Sequence, residues 1–185
     1  MSDTNASSAS LFRALVPMPG AGQVAMSGFP GLQSGIDGQA YIDPLCLEDT
    51  LADIRATGAP LLILLVESEE LPEAALPLLR AALAPRGIAL HHLPIADFQA
   101  PGPAFMACWR ALSPQLHALL DRGGSFALSC QYGAGRSGLV CAMLMMERGL
   151  DAPRAIAEVR ARFHEAVESE AQVQWLEAYA PAPRR

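Results

Sequence analysis

The 185-residue sequence predicts one α/β domain, with a central, mostly parallel sheet covered by helices on both faces. Three observations carry that expectation. Short continuous apolar runs, PLLILLVES (60–68) and SFALS (125–129), have the character of parallel strands buried on both faces. Segments with helical spacing alternate with them along the chain. The stretch SFALSCQYGAGRSGLV joins an apolar strand to a helix through a glycine-broken turn, as parallel sheets commonly do.

Taken in order, residues 1–12 read as a disordered N-terminal tail, 13–180 as the domain and 181–185 as a C-terminal tail. QVAMSGFPG (23–31) reads as an early strand ending in a turn. Asp43 and Pro44 supply an N-cap and a first helical residue, and the helix they open stops at Gly58. A strand over 60–68 follows. Pro72 and Glu73 open a second helix that reaches Arg86 and stops at Gly87. GIALHHLPI (87–95) is a strand that runs into the loop ADFQAPGP. Residues 104–121 are an amphipathic helix, SFALS the last strand, and 138–149, 153–163 and 169–179 the closing helices.

Composition excludes several functions. The net charge is −6, with scattered arginines and no lysine, so the chain lacks the basic footprint of a nucleic-acid binder. The longest strongly apolar run, LLILLV (61–66), is too short to span a bilayer, so no membrane is expected. The N-terminus has no basic or apolar region of a secretory signal. The cysteines at 46, 108, 130 and 141 show no metal-ligand spacing, and a reducing cytoplasm is the expected home, with no cofactor or metal. A monomer is expected.

The chemistry concentrates in SCQYGAGRSG (129–138). Backbone N–H groups of such a loop, with the N-terminus of the following helix, point at one spot and favour an anion. Gly133, Gly135 and Gly138 let the backbone curl close to it. Cys130 stands at the base of this nest, where the field that favours phosphate also favours a thiolate, which would be a nucleophile beneath the bound phosphorus. Arg136 can fork onto two phosphoryl oxygens. The Ser137 hydroxyl can donate to the thiolate as it leaves. A leaving oxygen also needs a proton, and Asp97, on a proline- and glycine-bounded loop after a strand, is the best donor. Glu67, Glu69 and Glu70 read as a solvated strand end, with Glu67 or Glu70 next in line as the acid.

The pattern C-x-x-G-x-G-R-S-G resembles the signature of the cysteine-dependent protein phosphatases, tyrosine-specific and dual-specificity. HHLPIADFQAP resembles the general-acid loop of the kinase-associated dual-specificity phosphatases, and AVESEAQVQWL (166–176) resembles a downstream segment of the same superfamily. The resemblance implies the cysteine-phosphatase fold, a phosphorylated protein substrate and a cysteinyl-phosphate intermediate. It makes Cys130 the nucleophile, Arg136 the phosphate clamp, Asp97 the acid and then the base, and Ser137 the aid to thiolate release. It assigns the phosphate-binding N–H groups to Gln131, Tyr132, Gly133, Ala134 and Gly135, and the orientation of the attacking water to Gln172. Ser129 departs from the family, which usually has histidine there. That departure motivates one alternative, a phosphate-binding pseudophosphatase. Another is a rhodanese-type sulfurtransferase, which needs neither a separate acid loop nor Ser137. A disulfide between Cys130 and Cys141 is left open by the sequence.

Overall fold

The computed structural model describes residues 10–182. Its core is a five-stranded sheet in the order β1-β2-β7-β5-β6: β1 (Phe12–Pro17), β2 (Gln23–Gly28), β5 (Leu61–Leu64), β6 (Ala89–His92) and β7 (Ser125–Cys130). β2, β7, β5 and β6 run parallel, and β1 pairs antiparallel with β2 at the edge. A separate antiparallel pair, β3 (Leu32–Ser34) and β4 (Ala40–Ile42), lies between β2 and the first helix.

Among the described residues, six α-helices cover the sheet: α1 (Pro44–Ala56), α2 (Ala75–Leu83), α3 (Pro103–Asp121), α4 (Gly135–Glu147), α5 (Ala152–Arg162) and α6 (Glu170–Ala178). Alternation within the strands divides the core in two. Ile63, Phe126 and Leu128 face the side holding α3, α4, α5 and α6. Leu62, Leu64, Ala25 and Ala127 face the side holding α1 and α2. The central strand β7 is buried at every residue, as its unbroken run of apolar and small side chains requires. Each fully buried leucine or phenylalanine contributes roughly 1.5–3 kcal/mol.

Local chemistry sets the boundaries. Asp43 accepts from the Cys46 N–H at 2.7 Å and Pro44 opens α1, as the N-cap reading expected. Other expectations need correction. The tail expected over residues 1–12 ends sooner, because Phe12 opens β1; residues 1–9, and 183–185 of the C-terminal tail, lie outside the described residues. The β3–β4 pair was not expected at all. α2 starts at Ala75, since Pro72 forms a turn whose carbonyl accepts from the Ala75 N–H at 2.8 Å. The strand expected to reach residue 68 ends at Leu64, and Ser68–Glu70 form a 3₁₀ turn. α4 begins at Gly135 rather than Gly138, so two glycines lie inside its first turns. Among the described residues no helix is long and apolar enough to cross a membrane.

Candidate active site

β7 is flanked by β2 and β5, and its C-terminal end delivers Cys130 to the edge of the sheet where parallel strands leave room for a ligand. Cys130 is 3% exposed. The chain then turns sharply. Gly133 adopts φ +97°, and a Cβ on it would lie 2.5 Å from the Gly28 nitrogen, so only glycine lets the loop lie flush on the end of β2. The turn aims the Gly133 N–H at the Cys130 sulfur, 3.2 Å away, a donor suited to a thiolate. Phe29 N–H holds the Gln131 carbonyl at 3.1 Å. Arg13 of β1 donates to the Tyr132 carbonyl at 2.8 Å and lies 4.3 Å over its ring. Ala134, at the N-cap of α4, offers no side-chain cap, which leaves the first-turn N–H groups to the concavity.

Arg136 reaches back across the site. Its Nη1 donates to Glu70 Oε1 at 2.5 Å and to the Ile95 carbonyl at 3.0 Å, and its Nη2 donates to Glu70 Oε2 at 2.8 Å. Nη2 also lies 3.1 Å from Asp97 Oδ1. The residue is 1% exposed, so the long side chain is fixed by its partners. Burial works against its charge. The Glu70 hydrogen bond and the nearby Cys130, Glu70 and Asp97 outweigh that cost, and the net shift is upward.

Cys130 and Arg136, from one loop, and Asp97, from the loop after β6, are therefore brought together. Asp97 sits on the loop after β6 and accepts from the Phe98 N–H at 3.1 Å. Phe98 has φ +56°, a conformation that side chains rarely adopt, and its carbonyl accepts from Ser169 Oγ at 2.6 Å. The Asp97 loop is thus tied to the segment before α6. Ser137 is fully buried in the first turn of α4, and its Oγ has no partner among the described residues. Gln131 and Tyr132 are exposed on the loop, and Ala134 is buried. Gln172 is the third residue of α6. It forms a reciprocal capping box with Ser169, and its Nε2 is buried without a partner among the described residues. Ser129 is buried, and its hydroxyl donates to the Gly28 carbonyl at 2.9 Å, tying β7 to β2. Cys46, Cys108, Cys130 and Cys141 form no disulfide, and burial raises the thiol pKa of Cys141.

The expectation of a solvated strand end fails at Glu70, whose carboxylate is the main partner of Arg136. The sequence reading also missed Glu168. A Cβ on Gly135 would lie 1.9 Å from Glu168 Oε1, so this carboxyl stands over the first turn of α4. Burial and the neighbouring Asp97 and Glu165 push its pKa up, against the pull of Arg136. Beside it opens a cavity of about 480 Å³ lined by Tyr132, His164, Glu165 and Glu168.

Residues 43–185 match the family model described as Swiss Army Knife protein, DSP-PTPase phosphatase domain. Among solved structures, the kinase associated phosphatase with its catalytic cysteine replaced by serine is 19% identical, with a TM-score of 0.73 over 91% of this chain and 93% of that one. Tk-PTP in its active form is 29% identical, with a TM-score of 0.58 over 86% and 94%. A putative protein tyrosine phosphatase from Leishmania major is 19% identical, with a TM-score of 0.65 over 90% and 98%.

Proposed function

Because this chain belongs to the family of DSP-PTPase phosphatase domains, we propose that it hydrolyses phosphomonoesters on proteins through a cysteinyl-phosphate intermediate. Phosphotyrosine is the first substrate class, with phosphoserine and phosphothreonine as further candidates. The observation that carries this reading is Arg136, buried and gripped on both terminal nitrogens by Glu70, presented beside the Cys130 loop. A fork already held by Glu70 before substrate arrives has only its Asp97 contact to give up when it meets the phosphoryl oxygens.

In the first step the Cys130 thiolate attacks phosphorus. The phosphoryl oxygens rest on the N–H groups of Gln131, Tyr132, Gly133, Ala134 and Gly135 and on Arg136, and Asp97 gives its proton to the leaving oxygen. As the phosphate takes up Arg136, Asp97 gives up its 3.1 Å ion pair. In the second step Asp97 takes a proton from water, Gln172 orients that water, and the thiolate leaves toward the Ser137 hydroxyl.

The test is hydrolysis of an aryl phosphate without added metal, followed by a panel of phosphotyrosine, phosphoserine and phosphothreonine peptides and a phosphoinositide. Turnover with preference for phosphopeptides is expected. Binding of phosphate analogues without turnover would favour the pseudophosphatase. Persulfide formation from thiosulfate without phosphatase activity would favour the sulfurtransferase. Preference for the lipid would keep the chemistry and replace the substrate.

A further inference from the structure

The phosphate nest is crowded with negative charge. Glu70 and Asp97 share Arg136, and Glu168 adds a third carboxyl over the first turn of α4. The other nearby guanidiniums are engaged elsewhere. Arg13 is committed to the Tyr132 carbonyl and ring, and Arg160 donates to the Ala166 and Val167 carbonyls at 3.0 and 2.8 Å.

Glu168 is held there at a cost. Val167, just before it, adopts φ +56°, which a β-branched residue avoids. The Arg160 bonds clamp that turn from α5, and the Ser169 hydroxyl bond to the Phe98 carbonyl fixes it from the acid loop. Gly135 supplies the space, since any side chain would collide with the carboxyl. The groups that act on Glu168 are Asp97 from the loop after β6, Arg136 from α4 and Glu165 from its own segment; Glu70 and Cys130 stand one step further, at Arg136.

We propose that Glu168 is a charge-selecting residue of the site: it takes up a proton as the phosphoryl dianion enters, so the nest accepts a phosphomonoester together with a proton and resists ligands carrying further negative charge beside the phosphorus. This rests on the phosphate-binding reading above. The entering dianion draws on the same Arg136 that favours the Glu168 carboxylate, and it adds like charge at the helix terminus. Both effects raise proton affinity. Burial and its acidic neighbours already hold the Glu168 pKa above the ordinary glutamate value, and bound dianion raises it further. Between the free and bound midpoints the complex holds more protons than the free protein, so affinity is greatest below that window and weakens as pH rises through it. By linkage, the fall approaches about tenfold per pH unit for one proton.

The probe is tungstate, which stays a dianion from weakly acidic to weakly alkaline pH. Cys130→Ser protein removes the thiol titration. Calorimetry in two buffers of different ionisation heat counts protons, while the dissociation constant is followed with pH. Uptake approaching one proton is expected in the parent and in its Asp97→Asn derivative. Glu168→Gln should abolish the uptake, flatten the pH dependence and tighten binding at the alkaline end. Carbon-labelled glutamate provides a second readout, independent of any substitution at 168: the Glu168 carboxyl resonance should titrate at higher pH with tungstate than without. Uptake that survives Glu168→Gln, uptake lost in Asp97→Asn instead, or a Glu168 midpoint unmoved by tungstate would overturn the proposal while leaving the phosphatase reading intact. A parent that does not bind tungstate at all would overturn both.

Discussion

Replacing Glu70 with alanine removes the main partner of Arg136 and leaves a guanidinium that is 2% exposed in its side chain with too few acceptors. Breaking a buried ion pair from one side typically costs about 3–5 kcal/mol. The lower end applies here, because the Ile95 carbonyl at 3.0 Å and Asp97 at 3.1 Å stay on the same group. For a domain of this size each kcal/mol moves Tm by ~2–4 °C, so a fall of roughly 6–12 °C is expected. Function should suffer separately. An unclamped fork wanders from the phosphoryl oxygens, and displacement of about 1 Å costs on the order of 10²-fold in rate. Thermal melts with and without tungstate, together with kcat/KM on an aryl phosphate, test this. Saturating tungstate should narrow the Tm gap to the parent, because the dianion supplies the missing partner. A variant that melts within about 1 °C of the parent, within the spread of harmless surface changes, and that turns over normally would refute the claim that Glu70 organises Arg136.

Asp97→Asn should slow esters with poor leaving groups by ~10²–10⁴-fold and activated aryl phosphates far less, which a leaving-group series measures; equal loss across the series would place the acid elsewhere. Gly133→Ala forces a Cβ to 2.5 Å from the Gly28 nitrogen at φ +97°, so tungstate binding should be lost and Tm lowered, both read from melts with and without the ligand. Ser169→Ala removes the α6 N-cap and the tether to Phe98; a cap is typically worth ~1 kcal/mol, so a Tm loss of a few degrees is expected, with a selective slowing of poor leaving groups as the Asp97 loop loosens.

The parts of the molecule legible in the sequence are those whose signals are local. The apolar run of β7, the Asp43-Pro44 cap and the glycine spacing of the loop each announce themselves within a few residues, and the motif placed Cys130 and Arg136 beside each other in chemistry before any fold was known. β1 was hidden because its Arg13 and the terminal Pro17 mask a short alternation in which only Ala14 and Val16 are buried. The start of α4 was misread because glycine signals a loop; here Gly135 and Gly138 are glycines so that Glu168 and Ala166 can pack against the helix. Glu70 lies in a run that looks like ordinary surface, and its partner is 66 residues away, so nothing local distinguishes it from Glu67 or Glu69. Ser129 is legible only as a departure; folded, its hydroxyl bonds the Gly28 carbonyl, which gives serine a structural place of its own. Gln172 carried a second signal that was there to be read, since Ser169-x-x-Gln172 has the spacing of a capping box.

The covalent role of Cys130 is the central claim, and rapid quenching of a single turnover with a radiolabelled phosphoester tests it most directly. The protein should carry label on Cys130 in the first moments of reaction, and Cys130→Ser should lose turnover by several decades while still binding tungstate, because the nest is made of backbone N–H groups. Label on another residue, or turnover retained in the serine variant, would contradict the account.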